Sequence, residues 1–292
     1  MLTVFCFLLS LGPLGAVTYE KSDSLRVVEL LSEGARQPEG TNLMLFYAHK
    51  LEGTPYVAQT LECNAEEQLV VNLSGLDCTT FVETVAALTL TTSTSSGQAT
   101  REGNILWDDY CRILATLRYR EGQPKGYASR NHYFSQWVQH GEGLKLMREI
   151  QGDDASPDNP FAGVKPIDLH FMTHHSDLYP MMKGDRLCQR QVGDAEREAS
   201  GDSIRYIPLS RLLDEEALRP YIHNGDVLAL VTVVEGLDVS HLGLAEWGSD
   251  GHLYLFDASS HYKRVLREPE PLGKSLQNST RLMGIRVVRV EK

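Results

Sequence analysis

The run VSHLGLAEW (Val239–Trp247), the turn residues Ser249-Asp250-Gly251 and the run HLYLFD (His252–Asp257) decide how the chain is read. Polar and apolar residues alternate on both sides of a glycine-containing turn, the pattern of two antiparallel strands. With a period of two, His241, Gly243 and Ala245 share one face, and the small residues leave room for an imidazole. Pairing through the turn sets His241 opposite residues 257 to 260, beside Asp257. A carboxylate beside an imidazole orients its tautomer and stabilises its protonated form.

Working outward from the hairpin, Ile204–Tyr206, Asp226–Val233 and Leu282–Val290 also read as strands, with Glu235-Gly236 as a turn. Before about residue 200 the period is helical. Ser22-Asp23 caps a helix to Ala35 with a stripe of Leu25, Val28, Leu30 and Leu31, and Gly40-Thr41-Asn42 opens another to His49. Thr79–Leu90 and Asn104–Tyr119 follow, the latter with a core stripe of Trp107, Tyr110, Leu114 and Leu117. Asn131–Ile150 reads as a helix broken near Gly141–Gly143, and Glu67–Leu73 as a short strand. The run from Gly152 to Pro160 reads as a loop, and the acidic run Asp194–Glu198 as a solvated face. Helices first and an antiparallel sheet after predict an α+β fold, one domain over residues 20–292 with no internal repeat.

The 292 residues carry 28 Lys and Arg against 39 Asp and Glu, a formal net charge of −11. An acidic chain with no basic block argues against nucleic acid or an anionic membrane surface as partner. Hydrophobic residues at 42% and charged residues at 23% exclude long disorder and a coiled coil. MLTVFCFLLSLGPLGAV (Met1–Val17) is too short to span a bilayer and reads as a secretory signal peptide over residues 1–16, although it lacks a Lys or Arg at its start. This predicts export, to a periplasmic or cell-envelope location, and no membrane span in the remainder. Cys63, Cys78, Cys111 and Cys188 then remain; their spacing matches no zinc pattern. Four cysteines allow two disulfides, but a chain this long does not need them, and at least one is expected to stay a thiol.

Leu76-Asp77-Cys78-Thr79-Thr80-Phe81-Val82-Glu83 places a cysteine where a loop becomes an apolar-periodic helix. Orphan N–H groups and the positive end of the helix dipole favour a thiolate at such a position and can receive an oxyanion. Asp77 opposes this electrostatically unless it caps the helix or faces substrate. Taken alone, Cys78 reads better as a small buried hydrophobe at a helix start. Together Cys78, His241 and Asp257 supply nucleophile, base and orienting acid.

Five boxes in order, Gly53-Thr54-Pro55-Tyr56-Val57, Asp77-Cys78-Thr79, Asn224-Gly225-Asp226-Val227, Ser240-His241-Leu242-Gly243-Leu244 and Asp257-Ala258-Ser259-Ser260, resemble NlpC/P60 cysteine peptidases. The DCTTFVE box and Ser129-Arg130-Asn131-His132-Tyr133-Phe134 are similar to the N-acetylmuramoyl-L-alanine amidase-like branch, the DUF1460 family. The resemblance runs from about residue 40 to the C-terminus. It implies a papain-like core whose nucleophile helix packs on an antiparallel sheet, with a large helical insertion over roughly residues 100–200. It implies Cys78 as nucleophile, His241 as base, Asp257 as third member, and Tyr56 near the oxyanion or substrate. Asp77, Ser240, Arg130 and His132 are further candidates for contacting substrate, the Arg130 guanidinium being shaped for a carboxylate; the structural reading beside it pairs Arg130 with a carboxylate of the core. The implied substrate is peptidoglycan or a muropeptide, attacked without a cofactor at the muramoyl–L-Ala amide or at the L-Ala–γ-D-Glu bond.

Two other readings stand beside this one. A non-catalytic wall-binding protein that kept the fold predicts no thiol reactivity at Cys78. A zinc hydrolase would use His170, His174 and His175, but the glutamate of an HExxH motif is missing, so no metal site is assigned.

Overall fold

The computed structural model of the chain describes residues 15–95, 103–152 and 159–291. In order these form β1 (Val17–Thr18), α1 (Lys21–Gly34), α2 (Leu43–Lys50), β2 (Leu69–Val70), α3 (Cys78–Ser95), α4 (Gly103–Arg118) and α5 (Phe134–Gly143). Then come β3 (Met147–Ile150), β4 (Gly163–Pro166), α6 (Phe171–His174), α7 (Arg186–Glu198), β5 (Ser203–Pro208) and α8 (Glu215–Leu218). The C-terminal part is β6 (Val227–Thr232), β7 (Val239–Trp247), β8 (Leu253–Ser259), β9 (Arg264–Arg267), α9 (Leu272–Leu276) and β10 (Leu282–Val290). The fold is α+β. The main sheet runs β4-β5-β10-β6-β7-β8-β9, with β3 also on β10, and every pairing in it is antiparallel.

The sheet is covered on both sides, so its central strands are not half polar. All six residues of β6 and all seven of β8 are buried. Val227, Ala229, Leu242, Leu244, Phe256 and Ala258 face the core shared with α1–α4. Leu228, Leu230, Ala245, Leu253 and Leu255 face a second core closed by Leu212, Leu218, Ile222 and Leu272. Helix α3 lies inside the first core, apolar on nearly every side from Phe81 to Leu90. Two of its buried threonines are satisfied by the helix itself: Thr91 Oγ1 donates to Ala87 O at 2.7 Å and Thr92 Oγ1 to Leu88 O at 2.9 Å. Phe81 stacks on Phe256 at 6.1 Å, which fixes the start of α3 against β8.

Several expectations are corrected. Glu20, not Ser22, precedes the first helical residue, and Asp23 closes the cap by accepting from Glu20 N at 2.9 Å; Leu25 is exposed while Val27 is buried. Only two residues of Glu67–Leu73 form a strand. The helix expected over Asn131–Ile150 ends at Gly143. Lys145 turns the chain with φ 58°, and Met147–Ile150 becomes β3, Ile150 opposite Val287 of β10. Pairing with a distant strand overrides the local helical period there. Residues 100–200 are accordingly not wholly helical: they contribute α4 to the main core and β3 and β4 to the sheet. Nor is Asp194–Glu198 a wholly solvated face. Glu196 is buried and accepts from Tyr133 Oη at 2.6 Å and Thr173 Oγ1 at 2.6 Å.

Most of the leader read over residues 1–16, and the centre of the loop from Gly152 to Pro160, lie outside the described residues. Among the described residues no helix is long and apolar enough to cross a membrane.

Candidate active site

Cys78 is the first residue of α3, and the residues around it explain why the helix begins there. Asp77 Oδ1 accepts from Thr80 N at 2.8 Å while Thr80 Oγ1 accepts from Asp77 N at 2.9 Å, a reciprocal cap one turn deep. The Asp77 carboxylate is therefore engaged by its own helix. Among the described hydrogen bonds, the N–H groups of Cys78 and Thr79 are left unclaimed at the positive end of the helix. The loop before the cap is pinned on its other side. Leu76 N donates to Pro55 O at 3.0 Å, Val57 N to Leu76 O at 3.0 Å, and Tyr56 N to Lys263 O at 2.9 Å. Tyr56 is thereby set beside the cysteine. Burial raises the pKa of its phenol, and Cys78, Asp77 and Asp257 add to that, so it stands as an O–H donor.

His241 sits in β7 just after an irregularity. Leu230 of β6 faces His241 but Val231 faces Val239, so Ser240 is an extra, exposed residue bulged out of the ladder. Such a bulge re-aims the side chain beside it. On the other side β7 follows the expected hairpin register, with Leu244 opposite Phe256. Gly243 makes the approach to β8 close: a Cβ there would lie 2.9 Å from Phe256 O and 3.0 Å from Asp257 Cβ. Across this gap the His241 ring donates through Nε2 to Asp257 Oδ2 at 2.5 Å, the acid fully buried and the imidazole 22% exposed.

Burial works against a charge on His241, but hydrogen bonds to Asp257 and Cys78, and the negative charge of both, outweigh it and push its pKa up to about 10. Burial also raises the Asp257 carboxyl, and His241 draws it back. The direction for the pair is a proton held on the imidazole. With Nε2 committed to Asp257, Nδ1 is the ring nitrogen left for the Cys78 sulfur. The structure thus brings Cys78, His241 and Asp257 together from α3, β7 and β8.

Cys78, Ser240 and His241 open on a cavity of about 100 Å³ running between α3, the entry to α5 and the start of β7. His132 is in its wall. Its Nε2 donates to Tyr127 O at 2.8 Å, and burial, with the nearby Arg130 charge, lowers its pKa to about 3, so the ring is neutral. Arg130 is not in the wall. Its guanidinium is buried between Glu62 at 2.7 Å and Glu67 at 2.7 Å and lies 5.0 Å over the Tyr127 ring, which leaves no fork for a substrate carboxylate.

Among the wall residues that the sequence did not single out for this role are Glu83, Asn131, Trp137 and Asp238. Glu83 is held by Arg118 at 2.7 Å, both buried. Asp238 accepts from Ser135 N at 2.6 Å, and Arg286 joins this group through Ser135 Oγ at 2.8 Å and Glu149 at 2.6 Å. That network ties α5, β3, β10 and the start of β7 around the cavity. Two of them carried a local signal: Glu83 closes the Leu76–Glu83 stretch, and Asn131 lies between Arg130 and His132.

The histidines of the 170–175 segment lie elsewhere, the rings of His170 and His174 tilted against each other with centroids 4.4 Å apart. Among the described residues no group of three His, Cys, Asp or Glu is placed to hold a metal ion. Cys63, Cys78, Cys111 and Cys188 are all free thiols, so the two conceivable disulfides are not formed; burial pushes Cys111 up to about 12.

The chain matches the model of the AmiA-like family, described as N-acetylmuramoyl-L-alanine amidase-like, over residues 47–285. No curated protein matches it. Among solved structures, an N-acetylmuramoyl-L-alanine amidase from Bacteroides uniformis ATCC 8492 is 33% identical with a TM-score of 0.74, covering 89% of this chain and 100% of that one. A putative xylanase from Bacteroides fragilis is 35% identical with a TM-score of 0.73, covering 83% of this chain and 99% of that one. A Legionella pneumophila protein of the DUF1460 family model shares the fold at 22% identity, with a TM-score of 0.65 over 93% of this chain and 96% of its own. By the family match and by these neighbours, the chain belongs to the N-acetylmuramoyl-L-alanine amidase-like family.

Proposed function

We propose that the protein is a cysteine-dependent amidase that hydrolyses the muramoyl–L-Ala amide of peptidoglycan or muropeptides. The observation that carries this reading is the charged His241, bound to Asp257 at 2.5 Å, with Cys78 as its other partner at the mouth of a cavity. The family description supplies the bond. A nucleophile at the start of a buried helix, packed on an antiparallel sheet that carries the base and the acid, supports a papain-like core of the NlpC/P60 kind.

In the proposed reaction the Cys78 thiolate attacks the lactyl carbonyl carbon. The oxyanion is received by the N–H groups of Cys78 and Thr79, with the Tyr56 hydroxyl as a third donor. His241 gives its proton to the L-Ala nitrogen as the C–N bond breaks, leaving a thioester on Cys78 and a neutral imidazole. A water then loses a proton to His241 and adds to the thioester, and the thiolate–imidazolium pair returns with release of the lactyl acid. Asp257 holds the ring throughout. Ser240 and the neutral His132 border the substrate path, whereas Arg130 and Asp77 serve the scaffold. Action on the cell wall, together with the export leader read over residues 1–16, supports a periplasmic or cell-envelope location.

Digestion of purified muropeptides, followed by product masses, tests the reading. Wild-type protein is expected to release a free lactyl carboxyl and a peptide beginning with L-Ala, and Cys78→Ala to lose at least about 10³-fold in rate. Iodoacetamide at mildly acidic pH should label Cys78 selectively, and His241→Ala should abolish that selectivity. Fragments cut after L-Ala would reassign the bond to an endopeptidase; the absence of any Cys78-dependent product would leave a wall-binding protein.

A further inference from the structure

The connection from β6 to β7 is fastened by a residue from the far edge of the sheet. Lys165 lies in the edge strand β4 and is half-buried. Its Nζ donates to Thr232 O at 2.7 Å and to Leu237 O at 2.7 Å. Thr232 is the last residue of β6, and Leu237 stands two residues before β7 begins. One ammonium thus closes both ends of the turn between the two strands. Burial pulls its pKa below the usual lysine range, with Asp238 pushing it up and Arg286 down. An ammonium spent on two main-chain carbonyls fixes the path of the main chain.

The strands that it ties are out of step. Leu230 faces His241 but Val231 faces Val239, and beyond that point Thr232 N reaches Asp238 O at 3.3 Å. The extra residue, Ser240, stands directly before His241. With a period of two, moving the bulge along by one residue would turn His241 to the opposite face of the sheet. On one side the hairpin register bounds the bulge, from Leu244 opposite Phe256 onward. On the other side the fastening at Leu237 bounds it. Leu237 and Asp238 are in the wall of the cavity beside Cys78, whereas Lys165 is not. Any effect of Lys165 on the sulfur therefore passes through the start of β7.

We propose that Lys165 is a positioning residue for the base: by holding Thr232 O and Leu237 O together it keeps the bulge at Ser240, and so keeps the His241 ring on the Cys78 sulfur. This rests on the reading of Cys78 and His241 as nucleophile and base. A misplacement of about 1 Å in a reacting group costs on the order of 10²-fold in rate, so a clamp outside the site can govern what happens inside it.

The rate at which iodoacetamide alkylates Cys78 at mildly acidic pH, read by peptide mapping, tests this without a substrate. Lys165→Met keeps the stem and deletes the ammonium. It is expected to slow Cys78 at least about tenfold, with the exposed Cys63 labelled at its wild-type rate. In a His241→Ala background the same change should cost less than about twofold, because the clamp then has no ring to position. Lys165→Gln, with a shorter amide in place of the ammonium, should fall between wild type and Lys165→Met. A Cys78 rate in Lys165→Met within about twofold of wild type, or an equal loss with and without His241, overturns the proposal. If Lys165→Met unfolds and exposes the buried Cys111 to label, Lys165→Gln decides by the same two criteria. Cleavage of muropeptides is scored separately. Cleavage at muramoyl–L-Ala without an effect of Lys165 sinks only the clamp. The effect without that cleavage sinks the amidase reading and leaves the clamp standing, and a wild-type Cys78 rate that does not depend on His241 sinks both.

Discussion

A histidine that keeps its proton up to about pH 10 rests in its acid form, the form that the first half of an acyl transfer uses, and once neutral it is a strong base for the second. The hydrogen bond to Asp257 is the largest single cause raising that pKa, so Asp257→Asn should let the imidazole lose its proton at lower pH. The alkaline limb of the kcat/KM profile is expected to move down from near pH 10, with a fall in kcat of ten-fold or more. An unmoved limb would mean that the carboxylate does not set the charge. Because the folded-state pKa of His241 is raised above its ordinary 6.5, the pair's contribution to stability is complete below that value and lost as pH rises through about 10. The three residues that meet at the cavity mouth were legible because a loop-to-helix cysteine and a two-strand hairpin each carry local patterns. For Arg130 a core carboxylate was one of the two partners the sequence suggested, but which one was not legible: Glu62 and Glu67 come from a loop far back along the chain, and only folding puts them there.

Among the elements, the β7–β8 pair bears the tightest constraint. Gly243→Ala would set a methyl against the backbone oxygen of Phe256, which cannot rotate away, and against Asp257. Urea unfolding is expected to show a loss of about 1–3 kcal/mol. Activity should fall further than stability, since the displaced strand carries the acid; full activity in a destabilised protein would show that the two are not coupled. Strands β7 and β10 are legible to their end residues, and the start of the nucleophile helix to within one residue, because each has a sustained period. Strands β3, β4 and β9 are four residues each, too short for any period to show, and their pairing with β10, β5 and β8 is a property of the tertiary structure.

At the scale of the molecule, a buried arginine joins the halves. Arg286 of β10 is 2% exposed and holds Glu149 of β3 and Ser135 of α5, with Asp238 at 3.8 Å. Arg286→Ala would leave two buried carboxylates without their cation, a loss expected at about 3–5 kcal/mol. The guanidinium midpoint should fall with the slope unchanged, and the cavity wall should loosen with it. Composition gave no hint of this network, since a single arginine among many is indistinguishable in sequence from a surface one.

Strand β10 occupies the middle of the sheet, bonded to β3, β5 and β6, yet the ribosome delivers it after every strand it joins. The nascent polypeptide therefore exits with Cys78 long before the scaffold around His241 can close. If the proposed amidase reading holds, an enzyme assembled in that order is dormant while it is being made. Premature termination upstream of residue 282 would give an inert product for clearance rather than a partly active one.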